Sequence, residues 1–131
     1  MGLLTKIFTW WDGATIGTSL WSARNGGRVG EDAEGNVYYE AKKPDGVFGY
    51  KRRWVIYSGA NDSSRVPPEW HGWLHHQVED TPDQALEPVR AWQKPAKANV
   101  TGTRDAYRPS GSLDAGGVRA AATGDYEAWV P

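Results

Sequence analysis

Cysteine is absent from the 131 residues. That excludes disulfide scaffolds, Cys-ligated zinc, iron–sulfur centres and thiol nucleophiles. Long apolar runs are missing too. The longest uncharged stretch, Gly13 to Ala23, is half polar and falls short of the ~20 apolar residues of a membrane span. No sign of charge dominates: the formal net charge is −1, with a pI near 6.3, which argues against general nucleic-acid binding. The first residues lack the basic-then-apolar layout of a signal peptide and the Arg/Ser richness of a transit peptide. Lys6 stands where a myristoylation signal needs Ser or Thr. Aliphatics are scarce as well. Leu, Ile, Val and Phe together make 21 residues, about 16% of the chain and below the ~20% where disorder sets in.

Aromatics are abundant instead, with eight Trp and six Tyr. A disordered chain does not carry that load. The apolar material must therefore be concentrated locally. Leu3, Leu4, Ile7, Phe8 and Trp11 fall on one helical stripe, and Asp12-Gly13 ends it, so residues 1–13 read as an N-terminal amphipathic helix. Its Trp10-Trp11 pair suits its own domain, a partner groove or a membrane surface. Residues 14–27, rich in Gly, Ser and Thr, read as a linker.

Residues 28–83 read as a small α+β core. Arg28 to Asp32 and Val37 to Glu40 flank an Ala33-Glu34-Gly35-Asn36 turn, which is a hairpin pattern. Lys43-Pro44-Asp45-Gly46 marks a second turn, and Tyr50 to Ser58 a third strand. Both faces of that strand are mixed, which suggests a sheet covered on both sides, one of them by another protein. Pro67-Pro68 opens a short helix with Trp70, Trp73, Leu74 and Gln77 or Val78 on one face, ended by Thr81-Pro82-Asp83. The expected fold is thus a three-stranded antiparallel sheet with one short helix after it, the N-terminal helix, and a long extended irregular C-terminal tail over 84–131. Five of the eight prolines lie in residues 82–131, and large apolar residues there are scattered. Ordering each residue costs about 1–2 kcal/mol of backbone entropy. Ten scattered anchors do not offset that over fifty residues without a partner surface.

No phosphate-binding loop, dinucleotide fingerprint or Gly-x-Ser-x-Gly elbow is present. His71 and His75 are spaced i, i+4, with Glu69, Glu79 or Asp80 as a third metal ligand. Gly72 stands where a zinc protease needs Glu, and surface histidines are the plainer reading. The carboxylates Glu31, Asp32, Glu34, Glu40, Asp45 and Glu69 read as turns and charge pairs rather than a glycosidase dyad. Lys51-Arg52-Arg53 suits an acidic partner, lipid head groups, or Glu31, Asp32 or Glu40 across the sheet. No catalytic residue, metal or cofactor is assigned. Trp, Tyr and Arg dominate binding hot spots. The candidate partner-contacting residues are therefore Trp10, Trp11, Tyr39, Arg52, Arg53, Trp54, Pro67, Pro68, Trp70, His71, Trp73, Trp92, Tyr107 and Trp129. An aromatic module for carbohydrate or Pro-rich peptide, with Trp54, Trp70 and Trp73 as its platform, is the alternative.

Several strings occur in a telling order: Val29-Gly30-Glu31-Asp32, Gly35-Asn36-Val37-Tyr38-Tyr39-Glu40, Arg52-Arg53-Trp54-Val55-Ile56-Tyr57, and Val66-Pro67-Pro68-Glu69-Trp70-His71-Gly72-Trp73-Leu74-His75. In this order they closely resemble the twelfth alpha-subcomplex accessory subunit of respiratory complex I, NADH:ubiquinone oxidoreductase. Asn99 to Thr103, Tyr107-Arg108-Pro109 and Trp129-Val130-Pro131 resemble its C-terminal half. The paralogous assembly factor mimitin shares the hairpin string but departs at the helix. The resemblance implies a non-catalytic subunit without redox cofactor. It would stabilise the peripheral arm against core iron–sulfur and quinone-site subunits, with a membrane surface within reach of the N-terminal helix. It also implies a peripheral location, on the cytoplasmic face of a bacterial inner membrane or the matrix face in mitochondria. The N-terminus and the Ala/Gly-rich 114–124 favour an alpha-proteobacterial member.

Overall fold

A computed structural model describes residues 3–8, 13–86 and 88–131. The order of elements is α1 (Leu3–Phe8), α2 (Ile16–Asn25), β1 (Gly26–Glu31), β2 (Val37–Ala41), β3 (Arg53–Ile56) and α3 (Pro68–Leu74), with short 3-10 turns at Ser63–Arg65 and Leu113–Ala115. The three strands form one antiparallel sheet in the order β1-β2-β3. This is the expected small α+β fold.

The hairpin turn is built by Asp32. Its Oδ1 accepts the backbone N–H groups of Glu34 and Asn36, at 2.9 and 3.0 Å. Gly35 takes the left-handed conformation the turn needs, with φ 84°. A bulge interrupts β1 between Arg28 and Gly30. Before it, Arg28 faces Tyr39; after it, Gly30 faces Tyr38. Opposed residues share a face, so the extra residue moves β1 from one side of the sheet to the other.

One face carries the core. Tyr38, Val66, Trp70 and Trp73 are buried there, with Val29, Val55, Tyr57 and Leu74 packed against them. α3 supplies the two indoles three residues apart, so both point down onto the sheet. A Cβ on Gly30 would stand 2.6 Å from Trp70 Cη2, so this strand position must be bare for the indole to lie on it.

The other face is covered by α2, where a linker was expected. Thr15 caps this helix by accepting the Thr18 N–H at 3.2 Å. The Lys42 Nζ donates to the carbonyls of Ala23 and Arg24 at its far end, at 3.2 and 3.0 Å. Between the caps, Trp54 Nε1–H donates to buried Ser22 Oγ at 3.0 Å. A Cβ on Gly26 would come within 2.5 Å of the Trp54 ring, so the helix passes straight into β1 beneath that indole. Gly17, Thr18 and Ser19 give α2 poor intrinsic propensity. Its caps and its contact with Trp54 hold it. The second cover of the sheet therefore comes from this chain itself.

Two other boundaries differ from expectation. The third strand spans four residues rather than nine: at its start Tyr50 belongs to the turn that Asp45 holds, and at its end the Ser58 N–H goes to the Asn36 side chain. α3 ends at Leu74, short of Gln77 and Val78, because His76 adopts a left-handed backbone with φ 57°. The described part of the predicted N-terminal helix, Leu3–Phe8, leaves Leu4, Ile7 and Phe8 exposed; Trp10 and Trp11 lie outside the described residues.

Beyond Leu74, the 3-10 turn at Leu113–Ala115 is the only helix or strand among the described residues. Residues Asn99–Pro131 form a unit separate from the first 98 residues. Within it, turns are pinned by Arg108–Asp114 at 2.5 Å and by an Arg119–Asp125 pair.

Candidate partner interface

Arg53 is placed by its register opposite Glu40. Its side chain is 4% exposed, and each of its three nitrogens has a partner. Nε donates to Glu40 at 3.2 Å, Nη1 to the carbonyls of Trp73 and Val78 at 2.8 and 3.1 Å, and Nη2 to Glu79 at 2.8 Å. The guanidinium carbon also lies 4.7 Å from the Trp73 ring centroid. Arg53 thus rivets β3 to the frayed end of α3, and little of it faces outward. Its neighbours divide the remaining acids: Lys51 pairs with Glu40 at 3.5 Å and Arg52 with Asp45 at 2.5 Å.

Trp70 and Trp73 are likewise consumed inside the chain. Tyr38 stacks on Trp70, and the two indoles meet edge to face with centroids 5.5 Å apart. Trp54 is half-buried between Tyr39, stacked at 5.9 Å, and Trp21, tilted at 5.1 Å. These three tryptophans form no open platform of the kind a carbohydrate or Pro-rich peptide would need.

Sequence reading passed over the polar network beneath them. Asn36 is fully buried. Its Oδ1 accepts from the Ser58 N–H at 3.1 Å, and its Nδ2 donates to Asp32 at 2.8 Å and to the Arg65 carbonyl at 3.3 Å. Tyr38 OH donates to the same Asp32 oxygen at 2.8 Å. Burial, reinforced by Asp32, pushes the Tyr38 phenol well above its ordinary pKa; burial pushes Tyr57 the same way. The signal for this network was the Asp-x-x-x-Asn spacing across a Gly turn.

The candidates left facing outward are different ones. Arg52, Pro68 and His71 are exposed, while Tyr39 and Pro67 are half-buried. Trp92, Tyr107 and Trp129 are each exposed by more than seven-tenths, Trp129 at 82%. Leu86, Val89, Leu113, Val118 and Tyr126 are exposed with them. His71 and His75 sit side by side, with ring centroids 4.1 Å apart. Among the described residues no group of three His, Cys, Asp or Glu comes together to hold a metal, so Glu69, Glu79 and Asp80 do not complete the pair. Among the described residues, no helix is long and apolar enough to cross a membrane.

The NADH ubiquinone oxidoreductase subunit NDUFA12 family matches residues 26–131. This chain belongs to that family. The match starts where β1 starts and runs through the sheet, α3 and the irregular C-terminal part. Among relatives, a protein named NADH dehydrogenase [ubiquinone] 1 alpha subcomplex subunit 12 from Dictyostelium discoideum is 39% identical over 87 residues, covering 65% of this chain and 61% of its own length. The protein of the same name from Bos taurus is 43% identical over 97 residues, covering 66% and 64%. An uncharacterized protein from Rickettsia prowazekii is 46% identical over 55 residues, covering 42% and 55%. This chain thus has a relative in an alpha-proteobacterium, the group that the sequence reading favours for it. This chain spans about three-fifths of the length of the curated relatives it matches.

Proposed function

We propose that this chain is a non-catalytic accessory subunit of proton-pumping NADH:quinone oxidoreductase. It stabilises the peripheral arm of the enzyme by lying against core iron–sulfur and quinone-site subunits. The family match over residues 26–131 is the observation that carries this reading. The distribution of apolar surface supports it. A small aromatic core is closed by its own helices, while Trp92, Tyr107 and Trp129 stand in water. Exposed large aromatics along an irregular segment suit a partner's surface, because association buries them without a new fold. The exposed Leu4, Ile7 and Phe8 of α1 are the second outward apolar group and suit a partner or the membrane surface. The subunit is then peripheral, on the cytoplasmic face in bacteria or the matrix face in mitochondria.

The test is co-migration. A tagged full chain should run with the NADH-oxidising band on a native gel. Removing residues 84–131 should loosen that association while the flavin module still oxidises NADH with an artificial acceptor. A chain that never enters the complex refutes the assignment.

A further inference from the structure

On the α2 side of the sheet lies a groove of about 590 Å³, between the end of α2 and the turn that follows β2. Trp21, Arg24, Lys42, Lys43, Asp45 and Arg52 line it. The charges do not balance. Asp45 neutralises Arg52, and the Val47 N–H, with Arg52, holds the Asp45 carboxyl below its usual range, so that pair is fixed. Lys42 Nζ meets backbone carbonyls and no carboxylate among the described residues. Arg24 and Lys43 make no ion pair among the described residues. Three cations therefore stand over one opening.

The surroundings are apolar. Trp21 is 51% exposed, and its neighbour Leu20 is exposed beside it. Val47, next to Gly46 of the groove wall, is exposed too, while Phe48 stacks on Tyr50 outside the groove lining. An acidic peptide would answer the cations and leave these side chains in water. A phospholipid answers both, since basic residues meet the phosphate while Trp and Leu enter the headgroup boundary. We propose that this groove docks an anionic phospholipid headgroup, with Trp21 and Leu20 at the hydrocarbon edge. The inference rests on the groove's own cations and exposed side chains and not on the subunit assignment.

Flotation of the full chain with vesicles tests it. Phosphatidylcholine vesicles containing about 30% phosphatidylglycerol should carry the protein, and pure phosphatidylcholine should carry far less. Each basic residue near an anionic surface strengthens binding about fivefold, so Arg24→Ser with Lys43→Ser should weaken it roughly 25-fold. Arg24→Lys with Lys43→Arg should bind as the wild type, which separates lost charge from lost fold. Soluble glycerol phosphate should not compete. Leu4→Ser with Phe8→Ser removes α1's own contribution and should leave the preference for phosphatidylglycerol intact. Four results overturn the proposal: no flotation, equal flotation on both vesicles, unchanged binding by the Ser variant, or capture of a polyglutamate peptide through Arg24 and Lys43 without vesicle binding. Attachment to complex I is read on a separate gel, so either reading can fail alone.

Discussion

Tyr38 and Trp70 lie ring on ring, with centroids 4.0 Å apart and planes within 5°, while the Tyr38 hydroxyl donates to Asp32 at 2.8 Å. One side chain thus joins the aromatic core to the turn that sets the hairpin. A phenol held there must stay neutral, and stability should depend on pH accordingly. The folded pKa is raised, so the contribution is complete below the unfolded value near 10 and is lost as pH climbs above it. Up to about 1.4 kcal/mol per pH unit disappears for each phenol so held. Tyr38→Phe should cost about 1 kcal/mol at pH 8, for the lost hydrogen bond. It should also flatten the alkaline slope in urea melts, although Tyr57 keeps part of it. Parallel slopes in both proteins would show that Tyr38 titrates freely.

Gly30→Ala should destabilise by about 1–3 kcal/mol, because the added methyl meets the Trp70 ring in a packed core. Gly26→Ala should do the same against Trp54. Gly27→Ala is the control, since a Cβ there meets nothing within 4 Å. Thermal melts of the three variants decide the matter. Equal shifts at all three positions would point to backbone effects rather than indole contact.

Arg53→Ala should cost about 3 kcal/mol: the Val78 carbonyl loses its donor, Glu40 keeps only Lys51, and the Trp73 carbonyl keeps only the His76 N–H. Arg52→Ala breaks an exposed pair with Asp45 and should cost no more than about 1 kcal/mol. Neighbouring arginines with the same side-chain chemistry thus differ through burial and through the number of partners each one holds. Denaturant midpoints of the two variants measure that difference.

Asn36→Ala should cost about 1–3 kcal/mol, by orphaning the Ser58 N–H and a bond to the Arg65 carbonyl. Amide exchange at Ser58 should quicken more than at Val55, which lies within the ladder. If both change alike, Asn36 acts on the whole core and not on this junction.

The strands and α3 were legible because their signals are local. A Gly turn between β-prone runs marks the hairpin, and Pro67-Pro68 with indoles three residues apart marks the helix. α2 was not legible, because Gly17, Thr18 and Ser19 give a linker-like composition that masks the helix formers Leu20, Ala23 and Arg24; Thr15, Lys42 and Trp54 hold it from outside. The same limit applied to the site. Composition ranks Arg52 and Arg53, or Trp54 and Trp70, as equals, and only register against Glu40 and the face switch at the bulge separate inward from outward. The Trp-rich string Pro67 to His75 carried the family resemblance. Yet its two indoles are core residues, and the two most exposed tryptophans among the described residues, Trp92 and Trp129, lie in the patchy C-terminal part.

The stacked rings also make this protein optically informative. Tyr38, Trp70, Trp73, Trp54 and Trp21 sit in fixed, asymmetric ring pairs, and such pairs give near-ultraviolet circular dichroism that vanishes when packing loosens. Trp92 and Trp129 stand in water, where they fluoresce without adding to that dichroism. Dichroism therefore reports the core, while emission sums over all the indoles, and its change on replacing Trp92 and Trp129 by Phe gives the share that shifts when a partner covers them.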